Sequence, residues 1–80
     1  MTVRLVFLGR LEDAAGAAER LVTVTGSLSA IMAALDPELA ETLSAERIKL
    51  ALNGAMVNDR TGLVLKDGDE LAFLPPVSGG

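Results

Sequence analysis

The chain has 80 residues, half of them hydrophobic, and a formal charge of −4. That length holds one domain with one small core, burying about 60% of the surface its unfolded chain exposes, and the apolar half tells against disorder. With no Cys, His, Tyr or Trp, the chain excludes disulfides, thiolate or imidazole metal sites, a protein-borne persulfide and a histidine general base.

Val3 to Leu8 alternates as a strand, with Val3, Leu5 and Phe7 on one face and Arg4, Val6 and Leu8 on the other. Arg4 marks the wetter face, so the first triplet is expected in the core and Leu8 outside. This short alternating start is no signal peptide. No apolar run approaches the roughly 20 residues of a membrane helix, so a cytoplasmic protein without a membrane partner is expected. Gly9 to Glu19 reads as a loop or short irregular helix broken by Gly16. Leu21 to Val24 is a second, β-branched strand, close enough to pair with the first as a hairpin with a long loop.

Ser27 is a good N-cap for a helix through Leu35, where Leu28, Ile31, Met32 and Leu35 form an i, i+3, i+4, i+7 stripe. A second, short helix follows, with Asp36 as cap, Pro37 in its first turn and Leu39 and Leu43 facing inward. Arg47 to Leu52 is a third strand, with Ile48, Leu50 and Leu52 inside and Arg47 and Lys49 outside. Asn53-Gly54 signals a tight turn, Met56-Val57 a short extended piece, Asp59 to Gly62 a turn, and Leu63 to Leu65 a brief strand. Glu70 to Leu74 is the last strand, with Leu71 and Phe73 inward and Ala72 and Leu74 outward. Pro75-Pro76 stops it, since neither proline can donate to a ladder.

Two strands, a helical crossover and further strands pack as a mixed sheet on one main helix plus a short second helix. This is an α+β chain of β-grasp, ubiquitin-like type, with a domain over residues 1–74 and an extended flexible tail over 75–80. Arg10, Arg47, Lys49, Arg60 and Lys66 read as solvated surface charge, with pairing to acidic residues on a partner as the alternative, and Lys49 and Lys66 are too scattered for a phosphate site. The absence of a basic cluster argues against nucleic acid. The acidic balance fits either a basic partner surface or plain solubility. Asp67, Asp69 and Glu70 form an acidic turn feeding a strand; no further ligand stands at calcium-loop spacing.

Chemistry then falls to the tail, Pro75-Pro76-Val77-Ser78-Gly79-Gly80. Its prolines stiffen the exit, and six extended residues reach roughly 20 Å, enough to enter another protein. Glycines fit a narrow channel and end in an unhindered acyl group. A carboxylate activated as a mixed anhydride with a nucleotide could be attacked by sulfur to give a thiocarboxylate, a soft nucleophile on a chain without cysteine. The chain has no Walker-type phosphate loop, so activation falls to another enzyme. A frayed, inert terminus is the competing reading and stays open at this point.

The ending Asp67-Gly68-Asp69-Glu70-Leu71-Ala72-Phe73-Leu74-Pro75-Pro76-Val77-Ser78-Gly79-Gly80, the opening Val3 to Gly16 and the Leu52-Asn53-Gly54 turn together resemble the small subunit of molybdopterin synthase. That is the MoaD family among the ThiS/MoaD-like β-grasp sulfur carriers, and the resemblance covers the whole chain. It implies a β-grasp fold and a cycle in which an E1-like enzyme adenylates Gly80 with ATP and a sulfur donor converts it to a thiocarboxylate. The tail, Gly79 included, then enters the large synthase subunit. There sulfur passes to cyclic pyranopterin monophosphate to form the molybdopterin dithiolene. The chain would bind no cofactor beyond the covalent acyl-adenylate or thiocarboxylate. It would be the non-catalytic subunit of a heterotetramer, with the catalytic side chains on the large subunit. Carried over position by position, the docking contacts fall on Leu8, Met56 and Leu74 and on the tail residues Pro75, Pro76, Val77 and Ser78. The family often has Phe at the positions of Leu8 and Leu74, so leucine keeps the apolar contact with less ring area. A carrier for thiazole synthesis is a rival, although those chains are usually shorter and lack Pro-Pro-Val. A carrier for another thiolated product, or for a tungsten form of the cofactor, is a further reading. From other classes come a ubiquitin-like modifier joined to lysines and an interaction domain with an inert tail.

Overall fold

The first strand, β1 (Thr2–Phe7), and the last, β5 (Glu70–Leu74), lie side by side and parallel, with Phe7 in register with Phe73. The structure, a computed structural model, describes residues 2–23, 26–45, 47–60 and 62–76. Between the two central strands come α1 (Leu11–Ala15), β2 (Glu19–Thr23), α2 (Leu28–Ala33), α3 (Pro37–Ser44), β3 (Lys49–Leu52) and β4 (Ala55–Met56). The five strands form one mixed sheet in the order β2-β1-β5-β3-β4, in which only β1 and β5 run parallel. Helices connect β2 to β3, as the sequence pattern requires of a crossover. This is the β-grasp arrangement.

Alternation decides which face is buried. Val3, Leu5 and Phe7 of β1, Val22 of β2, Leu50 of β3 and Leu71 and Phe73 of β5 point into one core with Ile31, Leu35, Leu39 and Leu43 from the helical layer. The Phe7 and Phe73 rings stack at 5.7 Å with 9° between planes, so the chain's two end strands are joined by its two phenylalanines. α1 occupies the β1–β2 connection and contributes buried Leu11; Gly16 ends it at φ 78.

Several elements depart from the sequence pattern for identifiable reasons. β2 begins two residues earlier than its β-branched run, because Glu19 and Arg20 find partners in Val6 and Leu5; Val24 lies outside the described residues. α2 stops at Ala33 rather than Leu35. Pro37 holds Asp36 at φ −58, ψ 141, outside helical space, and Leu35 closes the turn through its N–H to the Met32 carbonyl at 3.2 Å. Ser27 caps α2 as expected, its hydroxyl accepting the Ala30 N–H at 3.1 Å. The Asp36 side chain makes no capping bond to α3, and α3 is the longer of the two helices, eight residues against six. Arg47 and Ile48 precede β3 in a turn, with the Ile48 N–H on the Ala45 carbonyl. Leu63 to Leu65 is not a strand: a single bridge joins Val64 to Ser27, and the Leu65 N–H donates to the Gly26 carbonyl while its side chain is buried. Asn53 and Gly54, at φ 50 and 86, make the tight β3–β4 turn that their sequence announces.

Candidate functional site

Every β1, β5 and β3 residue that does not face the helices belongs to the other side of the sheet, and the register shows which of them meet. Val6 stands opposite Ala72, Ala72 opposite Ala51, and Ala51 opposite Met56, an apolar row across four strands. Beside it lie Leu8, whose N–H donates to the Phe73 carbonyl at 3.1 Å, and Leu74, opposite Lys49. Leu8 is 40% and Met56 56% exposed, while Val6, Ala72 and Leu74 are half-buried. The two alanines keep the middle of the row low between longer side chains. Leu8, Met56 and Leu74, singled out from the sequence, therefore share this outer face. Val6, Ala51 and Ala72 complete it; alternation already turns Val6 and Ala72 outward and, with Arg47 and Lys49 outside, implies the same for Ala51, while only the pairing sets the three side by side.

Charge borders the face on two sides. Arg4 pairs with Glu19 at 3.4 Å and Glu70 at 3.9 Å, all three about half exposed, so these pairs contribute little to stability. Lys49 stands exposed beside Leu74. β5 ends at the rim of the apolar face, and Pro75 and Pro76, both half-buried, start the tail there. Pro75 lies against Gly9. Val77, Ser78, Gly79 and Gly80 fall outside the described residues.

The remaining polar clusters are structural. Asp67 accepts the Thr2 N–H at 2.8 Å. Asp69 accepts the Asn53 side-chain amide at 2.9 Å and the Lys66 N–H at 2.7 Å, and Asn53 in turn accepts the Glu70 N–H at 2.9 Å. The Asn53 amide, followed by the Lys66 N–H, holds the Asp69 carboxyl below the ordinary aspartate range. The acidic turn thus clasps the β3–β4 turn to the start of β5. Arg60, expected as solvated charge, is instead half-buried: its guanidinium donates to the Leu43 carbonyl at 3.5 Å and to the Ile48 carbonyl, tying the end of α3 to the entry of β3. A cleft of about 380 Å³ opens beside it, with Ser44, Lys49 and Asn58 in its wall. No helix among the described residues is long and apolar enough to cross a membrane.

A model of the ThiS family matches residues 5–80. Along its full length the chain is 31% identical to the molybdopterin synthase sulfur carrier subunit of Chlamydomonas reinhardtii, also covered completely. Among solved structures, it superimposes on small archaeal modifier protein 1 of Methanosarcina acetivorans with a TM-score of 0.79 and 27% identity, covering 99% of this chain and 96% of that one. It also superimposes on a chain of the complex of subunits 1 and 2 of the molybdopterin-converting factor from Helicobacter pylori 26695, with a TM-score of 0.71, 26% identity and full coverage of both chains. With a sheet of this order and a family match over all but its first residues, the chain belongs to the ThiS family of β-grasp proteins.

Proposed function

We propose that this chain is the sulfur carrier subunit of a molybdopterin synthase, working through the carboxylate of Gly80. The observation that carries the reading is the tail's point of departure. A stiff Pro75-Pro76 segment leaves a central strand at the rim of the sheet's apolar outer face and leads to Gly79-Gly80. A partner held on that face by Leu8, Met56 and Leu74 would receive the tail, with Pro75, Pro76, Val77 and Ser78 lining the way in. The full-length similarity to the Chlamydomonas carrier and to a chain of the two-subunit Helicobacter complex supports the same assignment.

The chemistry follows from what a glycine carboxylate needs. Its oxygen is a poor leaving group, so an E1-like enzyme joins it to the α-phosphate of ATP, releasing pyrophosphate and leaving an acyl-adenylate. A hydrosulfide-equivalent donor attacks the carbonyl carbon, AMP departs with the C–O bond, and the C-terminus becomes a thiocarboxylate. Docked on the large subunit, that sulfur attacks an electrophilic carbon of cyclic pyranopterin monophosphate and displaces the oxygen substituent that carbon carries, so that a C–S bond replaces a C–O bond with no change of oxidation state. Hydrolysis of the resulting thioester leaves sulfur on the pterin and returns the Gly80 carboxylate; two such transfers complete the dithiolene. The carrier supplies the acyl group and the docking face, the large subunit the catalytic side chains.

Incubation with an E1-like enzyme, ATP and a sulfide source should raise the intact mass by the replacement of one oxygen with sulfur, and deletion of Gly80 should abolish the gain. An unchanged mass with a competent activating enzyme would sink the cycle. The similarity to small archaeal modifier protein 1 favours a second reading, conjugation to lysines, which predicts amide-linked high-mass adducts in the same experiment.

A further inference from the structure

Gly9 follows Leu8 of the outer apolar face and turns the chain from β1 into α1. Its φ of 55 lies in left-handed space, and its carbonyl accepts the Glu12 N–H at 3.2 Å as α1 begins. A side chain added at Gly9 would meet Pro75 at once: its β-carbon would sit 3.0 Å from Cγ and 3.7 Å from Cδ of the proline ring. The neighbouring ladder bond, from the Leu8 N–H to the Phe73 carbonyl, holds the two backbones together just before this contact. Among Gly9, Gly16, Gly54, Gly62 and Gly68, only at Gly9 would a β-carbon come within 4 Å of a residue other than its chain neighbours. The other four have open space.

We propose that Gly9 is a positioning residue for the C-terminal tail, its bare α-carbon forming the seat that sets the direction in which Pro75 leaves the sheet. The ring of Pro75 cannot rotate away, because its φ is fixed and only its pucker can change. A methyl at Gly9 presses on the ring, which must give by a few tenths of an ångström; the displacement that pucker does not absorb passes to the backbone that leads to Gly80. Because Leu8 belongs to the docking face, the same short turn ties the tail's heading to the surface that holds a partner. This inference rests on the sulfur-carrier reading for its consequence in delivery, but not for its structural content.

The test uses ¹⁵N-labelled full-length protein. In Gly9→Ala the amide resonances of Val77 and Ser78 should shift while those of Leu50 and Ala51 stay in place. Introduced into Pro75→Ala, which lacks Cγ and Cδ, Gly9→Ala should shift them by less than half as much. Tail resonances unmoved by Gly9→Ala, or moved equally with and without the proline ring, would overturn the proposal. Should Gly9→Ala fail to fold, Pro75→Ala alone should displace the Gly9 amide resonance, and an unmoved Gly9 amide would overturn it as well. In thiocarboxylate formation, Gly9→Ala should lower kcat roughly tenfold through misplacement of the reacting end, with KM changed by less than about twofold. A displaced tail with kcat intact would overturn the positioning role. Failure of the unaltered chain to gain sulfur would sink the carrier reading and leave the resonance arm to decide the contact by itself.

Discussion

Asp69 spends its charge on the fold: both carboxylate oxygens are engaged, one by Asn53 and one by the Lys66 N–H. Its carboxyl is held below the ordinary value of 3.8, so the folded state binds its proton more weakly than the unfolded state does. The stabilisation is complete above the unfolded pKa and is lost as pH falls below about 4 through the lower native value. Asp69→Asn should therefore flatten the acid side of the stability curve; urea midpoints taken between pH 6 and pH 2.5 would check this, and an unaltered slope would count against the clasp. The side chain's exposure keeps the effect small. The sequence suggested an acidic turn entering a strand here. Its partner Asn53, 16 positions away, was readable only as a turn residue. Leu8 and Leu74 were legible as outward residues because alternation in a strand needs nothing beyond the neighbouring side chains.

Between elements, Arg60 is the residue whose role changed most from sequence to structure. A lone arginine in a polar turn looks solvated, yet its guanidinium satisfies carbonyls of Leu43 and Ile48 where α3 hands over to β3. Arg60→Met keeps much of the stem and removes both bonds. We expect a loss of about 1–2 kcal/mol, since bonds from a charged donor are stronger than neutral ones but this one is partly solvated; the shift in urea midpoint at constant m-value measures it. The Leu63–Leu65 segment failed to become a strand for a related reason. Its apolar residues suit a strand, but the register of the sheet leaves it beside the Gly26-Ser27 loop, with one bridge and one buried leucine. α2 is the shorter helix because Pro37 restricts the residue before it, while α3 runs on through Ser44.

For the molecule as a whole, the parallel pairing of β1 with β5 is what makes one unit of the chain's two ends. Phe73→Ala would remove one of two stacked rings from a fully buried site at that junction. Such truncations cost about 3–5 kcal/mol, a large share of the 5–15 kcal/mol available to a small domain. Thermal unfolding followed by circular dichroism should show a marginal or unfolded variant. Leu74→Glu tests the opposite face. Leu74 is half-buried at the sheet's rim, so stability should change by less than about 1 kcal/mol. Affinity for a large synthase subunit or an E1-like enzyme should fall at least tenfold, or about 1.4 kcal/mol, by isothermal titration. Normal binding by a folded Leu74→Glu would refute the apolar face as a docking surface.

By itself the sequence determined what is local or compositional. The alternation of Val3, Leu5 and Phe7, the Ser27 cap, the Asn53-Gly54 turn and the Pro75 stop each depend on a few adjacent residues. The absence of Cys and His excluded disulfides, thiolate or imidazole metal sites and a histidine base. Tertiary structure decided what requires two distant segments to meet. It placed Ala51 between Ala72 and Met56, gave Arg60 its carbonyls and laid Pro75 on Gly9. Propensity and periodicity act over a few residues, whereas these contacts form only when the sheet closes and packing selects one register.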